Sequence, residues 1–223
     1  MKGEFIMSNN LYQKENLRHL SKLSTLAPEQ AQAFQKFSRQ VMTEGALSKK
    51  EKEIIAVAVA HATECPYCID AHTVSAKRAG ASLEELTEAI FVVASVEAGG
   101  AITHSTHMQN ALDPSADDVL YRRSNLQKLS NLKQFAPEGF SAFMEFNMVA
   151  TKEGTLSKKL KELIAIAIGH TTECPYCIDV HTKSAAKAGA TKEEIAEAIL
   201  VAAALRAGGA YAHMANMIES YQQ

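Results

Sequence analysis

Apolar residues recur along this chain at intervals of three and four, the spacing that lines one face of an α-helix. The segments Glu53–Thr63 and Leu83–Ala98 are typical. Ala, Leu, Glu and Lys dominate, and neither an alternating β-branched run nor an Asn-Gly hairpin signal interrupts them. The pattern predicts an all-α protein. In the first half it places helices at about 11–24, 28–44, 49–63, 66–79, 83–98 and 100–112. Their ends carry signals of their own. Ser48 with Glu51, Ser82 with Glu85 and Thr191 with Glu194 have the spacing of capping boxes, and Gly80 and Gly189 stand where a C-cap is wanted. Cys65 falls at an N-cap with Pro66 at the first helical position, where its fixed φ fits and its missing N–H is not needed. The Gly99-Gly100 pair separates the last two helices and is expected to let their backbones approach closely. The longest apolar stretches begin at Ala89 and Ala198, but they include Glu97 and Arg206 and a glycine pair each, so neither reads as a bilayer span.

A shift of 109 residues lays the chain on itself. Asn16-Leu17 then meets Asn125-Leu126, Gly99-Gly100 meets Gly208-Gly209, and His104 meets His213. Between Leu47 and Gly80, 24 of 34 positions match Leu156 to Gly189, far more than in the flanks. Something beyond general packing holds this block constant. The chain therefore reads as two tandem repeats of about six helices, 8–113 and 114–223, joined at the polar stretch Asp113–Asp118, where Pro114 interrupts the helical pattern.

With 223 residues and 47% of them apolar, the chain has enough material for a sizeable core. A net charge of -2 with no block of either sign offers nothing to nucleic acid or an anionic membrane. The opening Met1–Met7 has no apolar core for a signal peptide, which predicts a cytoplasmic protein. Met7 reads equally as a second start, or the first seven residues as an expression remnant. Four cysteines in a reducing compartment are too few and too closely paired for a structural disulfide framework, which leaves metal or redox chemistry.

The repeated block contains HATECPYCIDAH at His61–His72 and HTTECPYCIDVH at His170–His181. His61, Cys65, Cys68 and His72 are all good zinc ligands, but along one helix they would spread over roughly 16 Å, more than a tetrahedral ion spans. No metal is expected. Cysteines three apart on a helical turn lie within disulfide reach, and a helix N-terminus favours thiolate. His72 sits one turn beyond Cys68 on the same face, so Cys68 and its twin Cys177 are expected to be the better activated of each pair.

The longer string E-x11-C-x2-C-x3-H, as Glu53, Cys65, Cys68, His72 and again as Glu162, Cys174, Cys177, His181, resembles the core motif of the alkylhydroperoxidase AhpD and carboxymuconolactone decarboxylase superfamily. The resemblance covers both halves. It implies an AhpD-like helical fold and a thiol peroxidase in which Cys68 and Cys177 attack the peroxide. Cys65 and Cys174 would then resolve the sulfenic acid to a disulfide, while Glu53 with His72, and Glu162 with His181, relay protons. It also implies no cofactor beyond the cysteine pairs, a peroxide substrate, a thiol or disulfide-reductase electron donor, and a homo-oligomer, trimer or dimer. Well-characterised AhpD proteins carry a histidine between the cysteines, where this chain has Tyr67 and Tyr176; His61 and His170 are placed to compensate. His104 and His213 read as helix-packing residues that could approach the site. The rival readings are a decarboxylase-like lyase, whose relatives do not depend on a cysteine pair, and a general disulfide reductase or redox-sensing module.

Overall fold

The computed structural model describes residues 12–116 and 119–222. Residues 1–7, the expected helix start at residue 11, and Asp117 and Asp118 of the joint lie outside them. Among the described residues the protein is all helix, without a strand: α1 Leu23–Leu26, α2 Pro28–Val41, α3 Lys49–Ala62, α4 Pro66–Arg78, α5 Leu83–Ala111, α6 Leu129–Phe135, α7 Pro137–Thr151, α8 Lys158–Thr171, α9 Pro175–Lys187 and α10 Lys192–Tyr221. Short 3-10 helices, Lys14–Lys22 and Arg123–Lys128, precede α1 and α6.

Packing follows from the apolar pattern. From Ile54 to Ala60 no residue of α3 is more than 1% exposed, and Leu163–Ile168 of α8 are fully buried. A helix apolar on all sides must be surrounded. Accordingly α3 and α8 pack on each other at the centre, with α5 and α10 on both of them. One continuous hydrophobic core contains Ile54, Val57, Val92, Ile164, Ile166 and Val201, drawn from both repeats. The repeats fold as one body.

The sequence signals at helix ends hold. Ser48, Ser82 and Thr191 each accept from the backbone three residues on, and Glu51, Glu85 and Glu194 reach back to complete the boxes. Gly80 and Gly189 have φ of +88° and +85°, the left-handed conformation that ends α4 and α9. Two expectations fail. The first helix is 3-10 over Lys14–Lys22 and α-helical only from Leu23. Further on, the expected fifth and sixth helices are a single one, α5, running through Gly99-Gly100, as α10 runs through Gly208-Gly209. A helical glycine costs only about 1 kcal/mol, which burial along so long a helix offsets. As continuous helices, α5 and α10 are long and apolar enough to cross a membrane, yet both pack on the shared core.

Continuity lets each long helix serve both repeats. Glu88 of α5 accepts from the backbone N–H groups of Thr155 and Leu156 at 2.8 and 3.0 Å and pairs with Lys161 of α8 at 2.8 Å. Glu197 of α10 does the same for Ala46, Leu47 and Lys52 at 3.0, 2.8 and 3.1 Å. Both lysines are buried, and each finishes its hydrogen bonding on backbone carbonyls: Lys52 on Val41 and Thr43, Lys161 on Ala150. Any side chain at Gly45 or Gly154 would have to displace the carboxylate beside it. A Cβ on Gly154 would lie 2.6 Å from Glu88 Oε1, and one on Gly45 would overlap Glu197.

Burial works against the Glu88 charge, but Lys161 and the two backbone donors outweigh it and lower its pKa from 4.5 to about 2. A depressed carboxylate pKa stabilises the fold above the unfolded value and stops doing so as pH falls through the folded one. The Glu88 contribution should therefore disappear between pH 4.5 and about 2. Glu88→Gln should destabilise the protein by about 3 kcal/mol at neutral pH, because it strands a buried ammonium. It should also flatten the acid limb of stability against pH, measured by urea unfolding.

Candidate functional site

Each motif is built where one core helix ends and the next begins. Helix α3 stops in a turn whose Glu64 has φ of 52°, with the Cys65 N–H bonded to the Ala60 carbonyl at 3.2 Å; Glu173 at 57° and Cys174 to Gly169 at 3.0 Å repeat it. This turn folds α4 back along α3, and α9 along α8. The first cysteine becomes the N-cap: Cys65 Sγ accepts from the Cys68 N–H, and Cys174 Sγ from the Cys177 N–H, both at 3.3 Å. Pro66 and Pro175 follow at the first helical position. Cys65 and Cys68 form a disulfide with Cα atoms 5.3 Å apart, whereas Cys174 and Cys177 are buried free thiols.

The antiparallel return brings Glu53 to His72 and Glu162 to His181, with Oε2 to Nδ1 distances of 2.8 and 2.7 Å. The second carboxylate oxygen of each glutamate takes an ammonium one turn earlier, Lys49 at 2.7 Å or Lys158 at 2.6 Å. Both glutamates are 3% exposed. Burial raises their pKa, but the histidine and lysine donors more than reverse this, and both carboxyls end below the ordinary value. An ionised carboxylate only accepts, so the imidazole Nδ1 must carry the hydrogen. That leaves Nε2 of a neutral ring with its lone pair available for a proton.

In the reduced pair the two thiols act on each other. The Cys177 thiol donates to Cys174, and the Cys177 N–H and the Thr103 hydroxyl, at 3.9 Å, add to this. Together they hold the Cys174 thiol well below its usual pKa against the effect of burial. Donating to that thiolate, together with burial, pushes Cys177 up. The capping sulfur thus receives a backbone N–H of the helix start as well as the neighbouring thiol.

The remaining candidates separate. Tyr67 and Tyr176 are buried: Tyr67 Oη reaches Asn216 Oδ1 at 2.8 Å and the Gln13 carbonyl, while Tyr176 accepts from Asn125 at 3.0 Å and donates to the Leu120 carbonyl. His61 and His170 bond through Nδ1 to their own helices, at Val57 and Ile166, so these nitrogens are taken up locally. His104 and His213 are nearer the chemistry than a packing role implies. His104 lies beside Cys174 and against Tyr176 of the other repeat, His213 lies against Tyr67, and Nε2 of both is buried without a partner. Thr103 is a site residue that sequence reasoning missed, because it belongs to the opposite repeat from the cysteine it touches. Among the described residues no three His, Cys, Asp or Glu side chains gather as metal ligands would. A cavity of about 340 Å³ between α5, α7 and α9 is lined by Cys177 and His181 and otherwise mainly by apolar side chains.

The family model described as carboxymuconolactone decarboxylase matches residues 28–110 and again 137–220. A protein of the cox locus of Paracoccus denitrificans, uncharacterized in function, is 53% identical over 72 residues, 32% of this chain and 65% of its own length. An uncharacterized protein of Cupriavidus necator is 37% identical over 70 residues, 31% of this chain and 62% of its own. The chain thus spans less than two thirds of these relatives. The crystal structure of a candidate gamma-carboxymuconolactone decarboxylase subunit from Burkholderia xenovorans superposes with a TM-score of 0.68 at 22% identity, covering 93% of this chain and 95% of that one. At that identity the likeness speaks for the fold.

In a Cys65→Ser, Cys68→Ser protein, the ultraviolet absorbance of thiolate should titrate well below the ordinary thiol value of about 8.5. Cys177→Ala removes the main donor and should raise that midpoint by about one unit or more. A midpoint that stays put would show that the Cys174 charge has another source.

Proposed function

The chain belongs to the carboxymuconolactone decarboxylase family, and from that premise we propose that it is a cysteine-dependent peroxidase reducing hydrogen peroxide or organic hydroperoxides. The observation that carries this reading is that Cys177 and the Glu162-oriented His181 line one cavity, with Cys174 capping the helix beside Cys177. In the reaction, Cys177 gives its proton to Nε2 of His181, and its sulfur attacks the outer peroxide oxygen. The O–O bond breaks, Cys177 becomes a sulfenic acid, and the alkoxide or hydroxide leaves with a proton from His181. Cys174 then attacks the Cys177 sulfur, the S–O bond breaks, and water departs as the disulfide forms. One peroxide and two thiols yield one alcohol or water, one water and one disulfide. An external thiol or dithiol donor must return the two electrons, which suits a reducing, cytoplasmic setting. The Cys65–Cys68 disulfide corresponds to the oxidised end of the same cycle in the first repeat.

The family name supports one other reading, decarboxylation of a lactone acid, for which the cysteines would be dispensable. Both are tested by mixing fully reduced protein with peroxide, following thiol loss and mapping products by mass spectrometry. The peroxidase reading expects Cys65–Cys68 and Cys174–Cys177 disulfides, loss of the second on Cys177→Ser, and a sulfenic acid trapped on Cys177 by Cys174→Ser. Slow oxidation indifferent to Glu162→Gln and His181→Ala would refute it, and a Cys68→Ser, Cys177→Ser protein still turning over a lactone acid would establish the lyase.

A further inference from the structure

The two motifs are near copies, but the walls in front of them are not. The cavity at Cys177 and His181 is bounded by Ile102 of α5 and by Phe140 and Phe143 of α7, with the Ser95–Asn147 hydrogen bond of 3.0 Å at its side. The positions equivalent to Ile102, Phe140, Ser95 and Asn147 around the first motif are Tyr211, Ala31, Ala204 and Ser38. There the Tyr211 ring stacks on Phe34, the counterpart of Phe143, with centroids 4.4 Å apart and planes at 20°. A cavity of about 520 Å³ lies in that region, but its lining of Leu23, Ala31, Phe34, Tyr211 and Met214 includes neither Cys68 nor His72. In the second repeat Phe143 instead points its ring end at α5, where a Cβ on Gly99 would meet it at 3.6 Å; a Cβ on the equivalent Gly208 would meet nothing.

We propose that the second motif is the site for peroxides with an apolar body, and that Ile102 and Tyr211 are the residues that set this difference between the repeats. The inference rests on the peroxidase reading and deepens it. An alkyl or aryl group fills the space bounded by Ile102, Phe140 and Phe143 while its peroxide meets Cys177, and the electrons come from Cys174 and Cys177 as above. The cavity volume falls within the range of small-ligand sites, roughly 300–1,000 Å³, and its lining is apolar apart from the Ser95–Asn147 pair, Thr103 and the reacting groups. At the first motif the Tyr211–Phe34 stack stands at the equivalent wall, and on this assignment Cys68 is left to small peroxides.

The test uses reduced full-length protein treated with cumene hydroperoxide or with hydrogen peroxide, with disulfide formation at each pair timed by mass spectrometry. A difference of one side chain in an apolar pocket changes discrimination by about tenfold or more. The ratio of cumene hydroperoxide rate to hydrogen peroxide rate should therefore be about tenfold higher at Cys174–Cys177 than at Cys65–Cys68. Ile102→Tyr should lower the ratio at the second pair by a similar factor, and Tyr211→Ile should raise it at the first. Equal ratios at both pairs, or ratios that ignore both substitutions, overturn the assignment. A second readout is independent of redox chemistry: cumyl alcohol, which does not react with thiols, should give saturable NMR shifts around α5, α7 and α9 that Ile102→Tyr removes. If the alcohol binds in this way but no peroxide oxidises either pair, the peroxidase reading falls and the apolar site survives. If both pairs oxidise alike and the alcohol does not bind, the reverse holds.

Discussion

Hydrophobic burial brings α5 and α10 onto the central pair α3 and α8, but burial is not directional and would tolerate sliding. The carboxylates of Glu88 and Glu197 remove that freedom. Each must meet two backbone N–H groups and one buried ammonium at once, beside a glycine, 154 or 45, whose missing Cβ leaves the carboxylate room. A mismatch of one residue would strand a buried lysine, which is far costlier than a slipped methyl contact. Because an α-helix rises 1.5 Å per residue, fixing Glu88 also fixes Thr103 some ~22 Å further along. The clasp at one end of α5 therefore sets what faces the cysteines at the other.

That dependence explains what could be read in the sequence and what could not. Local features were legible because their causes are local. The Ser48 and Thr191 capping boxes, the left-handed Gly80 and Gly189, and Cys65 before Pro66 each depend on residues within a turn of one another. The pairing of Glu53 with His72 was anticipated only through the family resemblance of the E-x11-C-x2-C-x3-H string, and the return of α4 along α3 supplies its physical cause. The continuous α5 was not legible, since the propensity of Gly99-Gly100 argues for a break and only packing against the opposite repeat overrules it. Lys52 and Lys161 lie in charged runs that look solvated, yet Glu197 and Glu88 that bury them sit in the other repeat. Thr103 escaped assignment for the same reason.

The electrostatics of the pair follow from one geometric fact, that the first cysteine is an N-cap. Its sulfur stands where Ser or Asp commonly stands and receives the amide that such a residue would receive. The second sulfur, a turn inside the helix, gives its own hydrogen to the first, and this together with burial outweighs the donors it receives. Resting charge and nucleophilic role are thus separable: the cysteine that holds the negative charge need not be the one lining the cavity, provided the proton between the two sulfurs can move. His181, held by a carboxylate that Lys158 keeps ionised, supplies a second place for that proton to go.

The covering of each motif by the long helix of the other repeat has a genetic consequence. Were the same sites formed by two identical single-repeat subunits, every substitution in the covering helix would appear at both sites together, and neither could change without the other. Within one continuous chain the coding positions for Ile102 and Tyr211 are separate, so one site can keep an open wall while its twin closes. Duplication here does more than double the number of reactive sulfurs: it makes an inherited symmetry optional, one residue at a time.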